Sequence, residues 1–269
     1  MARPLLIARR IPGVSDQVAA IAWGSFCQLL RAPEAKMMLL PPLMLLCIFG
    51  SSFYFMADSS FPRQASTVVM FSGIGATLLS ITQFLCNSFG FDRQGFRAYL
   101  LMPVERRDLL LGKNLSLLPL VFALYGVVIV LTVLTLPVRP FQIPTALIQM
   151  LNAYLLMAPV ANLVAIRFPV TVPIAGSLRP QQVQWAPLLM QFAMMLVISV
   201  ALLPAALAWG GEFLAESLTD VTWVPWSLLV SLVETGLIGL IYFHALEEEG
   251  RYLQRRETLI LEVVAAAHE

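Results

Sequence analysis

Asn114–Val138, NLSLLPLVFALYGVVIVLTVLTLPV, runs for 25 residues without a charge between Lys113 and Arg139. A bilayer core about 30 Å thick is crossed by roughly 20 apolar residues of helix rising about 1.5 Å each. This segment is therefore long enough to span a membrane, and charge-free runs become the ruler for the rest of the chain.

On either side of it, the same ruler finds five more spans. They cover about 37–57, bounded by Lys36 and Asp58, then 66–90, 143–166, 185–208 and 224–244, the last interrupted only by Glu234. With the central segment at 114–136, the reading is an all-α integral membrane protein of about six transmembrane helices. Composition agrees. The 269 residues are 59% hydrophobic and 12% charged, with a mean hydropathy of +0.81, whereas soluble domains carry about 25% charged residues. So few polar side chains cannot cover a water-soluble globule of this length.

Charge distribution gives orientation, because the cytoplasmic side of a membrane protein retains an excess of Lys and Arg. With the N-terminus inside, segments 1–36 and 92–113 carry five basic residues each, 167–180 carries two and the chain after His244 carries three. The opposite side holds only Arg63 and Arg139. Both termini are thus expected in the cytoplasm, in a multi-pass protein of the cell (inner) membrane. The net charge of +1 lacks the clustered basic excess of a nucleic-acid-binding protein. The start of the chain has no apolar run and cleavage site of the kind that makes a signal peptide.

The segments flanking the spans carry patterns of their own. Residues 1–36 form a cytoplasmic N-terminal segment in which about 15–31 is an amphipathic helix: Ser15 is the N-cap, and Val18, Ile21, Ala22, Phe26 and Leu29 form one apolar face. That face is expected to lie in the membrane interface. Residues 37–244 make the transmembrane domain, and 245–269 a cytoplasmic C-terminal tail. Residues 205–226, with Trp209, Phe213, Trp223 and Trp226 near three acids, form either a re-entrant segment or an ordinary outer loop. Prolines within spans, Pro119, Pro159, Pro187 and Pro204 among them, predict kinks.

Little points to catalysis. The chain lacks H-E-x-x-H and G-x-S-x-G, and its three cysteines, Cys27, Cys47 and Cys86, are scattered, so they read as small apolar residues rather than metal ligands. Leu111-Gly112-Lys113-Asn114 fails as a phosphate-binding loop because Arg107 stands where its first glycine is needed. No catalytic residue, metal site or cofactor is assigned to this chain. Glu234, the one acid within a predicted span, should face protein or water, since a carboxylate at the bilayer centre costs about 2.5 kcal/mol or more. With Asn152 and Asn162 it is the candidate for a pathway or an interface, Glu234 either lining a pathway or hydrogen-bonded, or protonated, in a subunit interface.

The densest pattern is NSFGFDRQGFRAYLLMPVERRDLLLGKN, residues 87–114, where charged residues alternate with Phe91, Phe96, Tyr99, Leu100, Leu101 and Leu109 to give short helices with one charged and one apolar side. At this loop the chain resembles the type-2 permease family of ATP-binding-cassette (ABC) exporters. The likeness rests on Asn87, Phe89-Gly90, Asp92, Gly95-Phe96, Pro103-Val104, Arg107 and Leu111-Gly112-Lys113-Asn114, and the layout of interfacial helix, six spans and structured first cytoplasmic loop is similar over nearly the whole chain.

The resemblance implies that loop 92–113 docks on a separate ATPase subunit, through a coupling helix at about Asp92 to Arg107. Asp92, Arg93, Gly95, Phe96, Arg97, Tyr99, Pro103, Arg106 and Arg107 would form the contact, with Phe96 and Tyr99 as anchors and the arginines as electrostatic guides. It further implies pairing with a second copy or a homologous permease in the lipid bilayer, ATP and Mg on the partner subunit, and no ATPase motif here. Some relatives are longer, so the chain is read either as a complete permease or as half of one. The competing expectation is an ATP-independent secondary carrier or channel, although the absence of an evident internal repeat weighs against an inverted-repeat carrier.

Overall fold

The computed structural model describes residues 13–33, 36–37, 44, 65–92, 95–169, 185–219 and 224–265. The predicted first span, 37–57, lies outside the described residues apart from positions 37 and 44, and Arg93 also falls outside them. The described chain is all-helical: α1 Asp16–Arg31, α2 Ala65–Cys86, α3 Phe96–Leu101, α4 Arg106–Thr135, α5 Gln142–Arg167, α6 Trp185–Ala201, α7 Leu203–Thr219 and α8 Trp226–Ala265. Among the described residues five helical stretches are long and apolar enough to cross a membrane: Ala65–Cys86, Arg106–Thr135, Gln142–Arg167, Phe192–Leu218 and Trp226–Val263.

These crossings alternate in direction. Gln142, at the start of α5, accepts a hydrogen bond from Ser66 at the start of α2 (3.4 Å) and donates one to Thr67 (3.0 Å). Thr145 lies 3.5 Å from Ser227 at the start of α8. Arg139, just past α4, pairs with Glu212 and Glu216 near the end of α7. One end of the bundle therefore gathers the starts of α2, α5 and α8 with the ends of α4 and α7. The other carries residues 87–92 and 95–105 and is the loop end.

Helix α5 is the hub, packing on α2, α4, α6, α7 and α8. Ala146, Met150, Ala153, Tyr154, Met157, Ala158, Ala161 and Ala165 are buried at spacings that place them around one side of a helix. Alanines let helix backbones approach closely, which matters in lipid because association there rests on packing rather than on escape from water. Around this core, Leu196, Val200, Leu207, Val233, Leu237 and Leu240 stand exposed. An apolar rim this extensive suits lipid and not water.

Several boundaries differ from the sequence reading. Helix α2 ends at Cys86, and Asn87–Asp92 turn back on themselves, Gly90 N–H donating to the Asn87 carbonyl and Asp92 N–H to that of Phe89. Helix α4 starts at Arg106, well before the charge-free run, with extended Glu105 at the N-cap and Asp108 in the first turn, where an acid favours the helix dipole. The fifth span is broken at Leu202, two residues before Pro204, which has no N–H for the preceding turn. Residues 203–219 are helical, so no plain loop starts at 205. Pro119 and Pro159 lie inside unbroken helices.

The polar stretch EEEGRYLQRRE after the last span, which reads as an extension of its helix into the cytoplasm, is helical. Helix α8 continues for 40 residues, about 60 Å, or twice the thickness of a bilayer core. Its second half must leave the membrane, and it does so as ordered helix packed on the loop end. Helix α1 forms where the sequence placed it, capped by Ser15, and its apolar face, with Val18, Ile21 and Ala22 buried, packs on α4. A Cβ on Gly112 would lie 2.7 Å from Ile21 Cγ2 and 3.2 Å from the Val18 carbonyl oxygen, so a glycine at 112 permits this contact. Trp23 and Leu30 remain on the outward side.

Candidate functional site

The loop end is built from four elements. Gln28 of α1 donates to the Phe91 carbonyl (2.6 Å), and Ser25 Oγ lies 3.4 Å from Tyr99 Oη. From α4, Lys113 Nζ donates to the Ser88 carbonyl (3.1 Å) and is ion-paired with Asp92. Both members of this pair are buried, with the Lys113 ammonium also near the rings of Phe89 and Tyr99. Burial pushes the Asp92 carboxyl above its ordinary range, and the ammonium in contact with it works against that rise. Removing either partner would leave the other charge buried alone, which is strongly destabilising.

Arg106 ties the remaining pieces together. Its guanidinium donates to Glu257 of α8 (2.7 Å), to the Tyr99 carbonyl (3.1 Å) and to the Leu100 carbonyl (3.4 Å). The last carbonyls of a helix lack partners within it, so this arginine caps α3 while joining it to α8.

The predicted docking residues thus divide. Phe96 is 0% exposed and stacks edge-on against Phe89; as a surface anchor it is corrected to a core residue. Tyr99 is half-buried, and Asp92 and Arg106 are engaged within the chain. Gly95, Arg97, Pro103 and Arg107 are exposed. Sequence reading passed over the apolar tip itself: Leu101 is 81% exposed and Met102 43%, followed by Pro103 and flanked by Arg97, Glu105 and Arg107. Neither periodicity nor charge distinguishes Leu101 from the buried Leu109 and Leu110, because α3 spans only six residues.

A second constellation runs along the seam between α5 and α8, the most extensively packed helix pair. Gln149 Nε2 donates to Ser231 Oγ (2.7 Å) and Glu234 Oε2 (2.6 Å). Asn152 donates to the Ser231 carbonyl (3.3 Å) and accepts from Thr235 Oγ1 (2.8 Å). Nearer the loop end, Asn162 Nδ2 donates to Glu249 Oε2 (2.9 Å). Asn114, buried in α4, donates to Tyr242 Oη (2.9 Å), and its carbonyl accepts from Tyr154 (2.6 Å).

Glu234, Asn152 and Asn162, singled out from sequence, therefore share one seam as hydrogen-bonded groups between helices of a single chain. Glu249 was missed: it is 3% exposed, and its Oε1 finds no hydrogen-bond partner among the described residues. Its neighbours Glu247 and Glu248 are exposed and paired with Arg251.

The cleft lined by Ser25, Gln28, Phe91, Asp92 and Lys113 holds about 20 Å³, room for one water. Among the described residues no three His, Cys, Asp or Glu side chains gather as metal ligands.

Five apolar crossings, a lipid-suited rim and a polar internal seam define a membrane-embedded helical protein. No family model, curated protein or solved structure matches the chain.

Proposed function

We propose that the chain is the permease subunit of an ABC exporter, moving its substrate with energy from ATP hydrolysed on a separate nucleotide-binding subunit docked at loop 92–113. The observation that carries this reading is the construction of that loop. It is clamped by α1, α4 and α8 through Gln28, Lys113 and Arg106, yet its tip offers Leu101, Met102 and Pro103 among charged residues. A rigid apolar knob with a charged rim is what a protein groove takes up, the apolar centre giving affinity and the rim giving orientation. The seventeen basic residues, fifteen of them on the side of this loop, support its being cytoplasmic together with both termini, in the cell (inner) membrane. Trp23 and Leu30, outward on α1, suit the headgroup interface. ATP and Mg belong to the partner, and a second permease copy, or a homologue, completes the transporter.

The test is co-purification with a soluble ATPase carrying G-x-x-x-x-G-K-[ST] encoded beside this chain. Leu101→Asp with Met102→Asp is expected to release it, with the permease still monodisperse; retained binding would remove the loop from the interface. The ATP-independent carrier draws its support from the carboxyl groups of Glu234 and Glu249 in the α5–α8 seam. It predicts transport by the chain in vesicles that contain no ATPase.

A further inference from the structure

We propose that the part of α8 beyond the membrane is a strut that positions the docking loop, with Gly250 and Glu257 as its contacts; the functional role, though not the strut itself, rests on the docking reading above. At Gly250, α8 meets the first turn of α4 backbone to backbone. A Cβ there would lie 2.8 Å from the Arg107 backbone nitrogen and 3.1 Å from its Cα, atoms that cannot swing aside. Two turns further along the same face of α8, Glu257 meets Arg106, and Leu253, between them, is fully buried.

Arg106 is the link to the loop, because it also holds the Tyr99 and Leu100 carbonyls at the end of α3. Glu257 fixes the guanidinium, the guanidinium fixes the last turn of α3, and Leu101 comes directly after. The ion pair is only partly exposed, at 14% and 25% of the two side chains, so solvent screens it less than an open surface pair. Glu257 belongs to α8 and lies outside the loop tip of Leu101, Met102 and Pro103. It acts through Arg106 and is a positioning residue.

The experiment is amide hydrogen exchange on the full chain in nanodiscs, without any ATPase. Glu257→Lys is expected to speed exchange over residues 96–101 by about tenfold while the buried α5 amides between 150 and 161 stay unchanged. Glu257→Gln, which keeps an acceptor oxygen for Arg106, should change the loop by less than about threefold. Gly250→Leu, wedging α8 from α4, should reproduce the loop-selective effect. With the ATPase added, Glu257→Lys should weaken binding about tenfold and Glu257→Gln should largely restore it. Unchanged loop exchange in both Glu257→Lys and Gly250→Leu overturns the strut, as does equal acceleration in α5, which would make these residues supports of the whole fold. A wild-type chain that binds no ATPase overturns the docking reading alone, and the exchange result still decides the strut.

Discussion

Glu248 and Glu249 are adjacent, yet Glu248 pairs with Arg251 in the open while Glu249 is enclosed against Asn162. One residue step turns a helix by about 100°, enough to move a carboxyl from solvent to seam. That rotation was hidden in the sequence because three consecutive acids look alike until the opposing helix is known. Glu249→Gln keeps an oxygen for Asn162 and nearly the same volume, so its stability should lie within about 1 kcal/mol of the wild type. Asn162→Ala, which strips the carboxyl of its donor, should cost about 1–3 kcal/mol. Thermal unfolding in one detergent at fixed pH measures both, and a Glu249→Gln chain melting lower than Asn162→Ala would contradict this assignment. Phe96 makes the same point at the loop. Being fully buried against Phe89, it should not tolerate Phe96→Asp, which ought to destabilise the chain by about 3 kcal/mol or more. Arg97→Glu, at an exposed neighbour, should fold normally, and size-exclusion profiles of the two variants separate these outcomes.

Among the helices, the charge-free ruler located spans well and measured lengths poorly. Gln142–Arg167 agrees with the expected 143–166 to within a residue at each end, because polar groups happen to bound both the apolar run and the helix. Helices α4 and α8 overrun their apolar runs, since a helix continues wherever its backbone bonds and packing allow, whatever the lipid depth. The last apolar run ends near His244, and residues 245–265 are rich in charge but still helical, held by Leu253 and Ile260 as buried residues. Among the prolines, only contacts decide which ones interrupt a helix, which is why Pro204 comes after a break and Pro159 does not. Close helix contacts are equally invisible until partners are placed. On α2, a Cβ at Gly73 would lie 2.5 Å from Val128 Cγ1 of α4, so Gly73→Ala should destabilise by about 1–3 kcal/mol. Val128→Ala removes the clashing methyl groups, and the double variant should recover at least about half of that loss in a double-mutant cycle. Simple additivity would show that α2 and α4 do not meet there.

Over the whole molecule, an all-helical membrane architecture was legible from composition and run length alone, and among the described residues five helices long and apolar enough to cross agree with it. The proposed docking site was legible as a region but not as a surface. Charge pattern drew attention to 92–113, while the side chains left outermost, Leu101 and Met102, could be known only after Phe96, Asp92 and Arg106 had been turned inward. The apolar crossings and the basic side of the chain thus lead to a loop that is braced by the first and last described helices and ends in an apolar tip. Whether that tip seats a motor subunit is decided by affinity capture of the full chain with any soluble P-loop ATPase that an adjacent reading frame encodes, wild type against Leu101→Asp with Met102→Asp. A stable complex with the wild type and at least about tenfold weaker capture with the double variant are expected; equal capture of both, or none of either, would refute the docking reading.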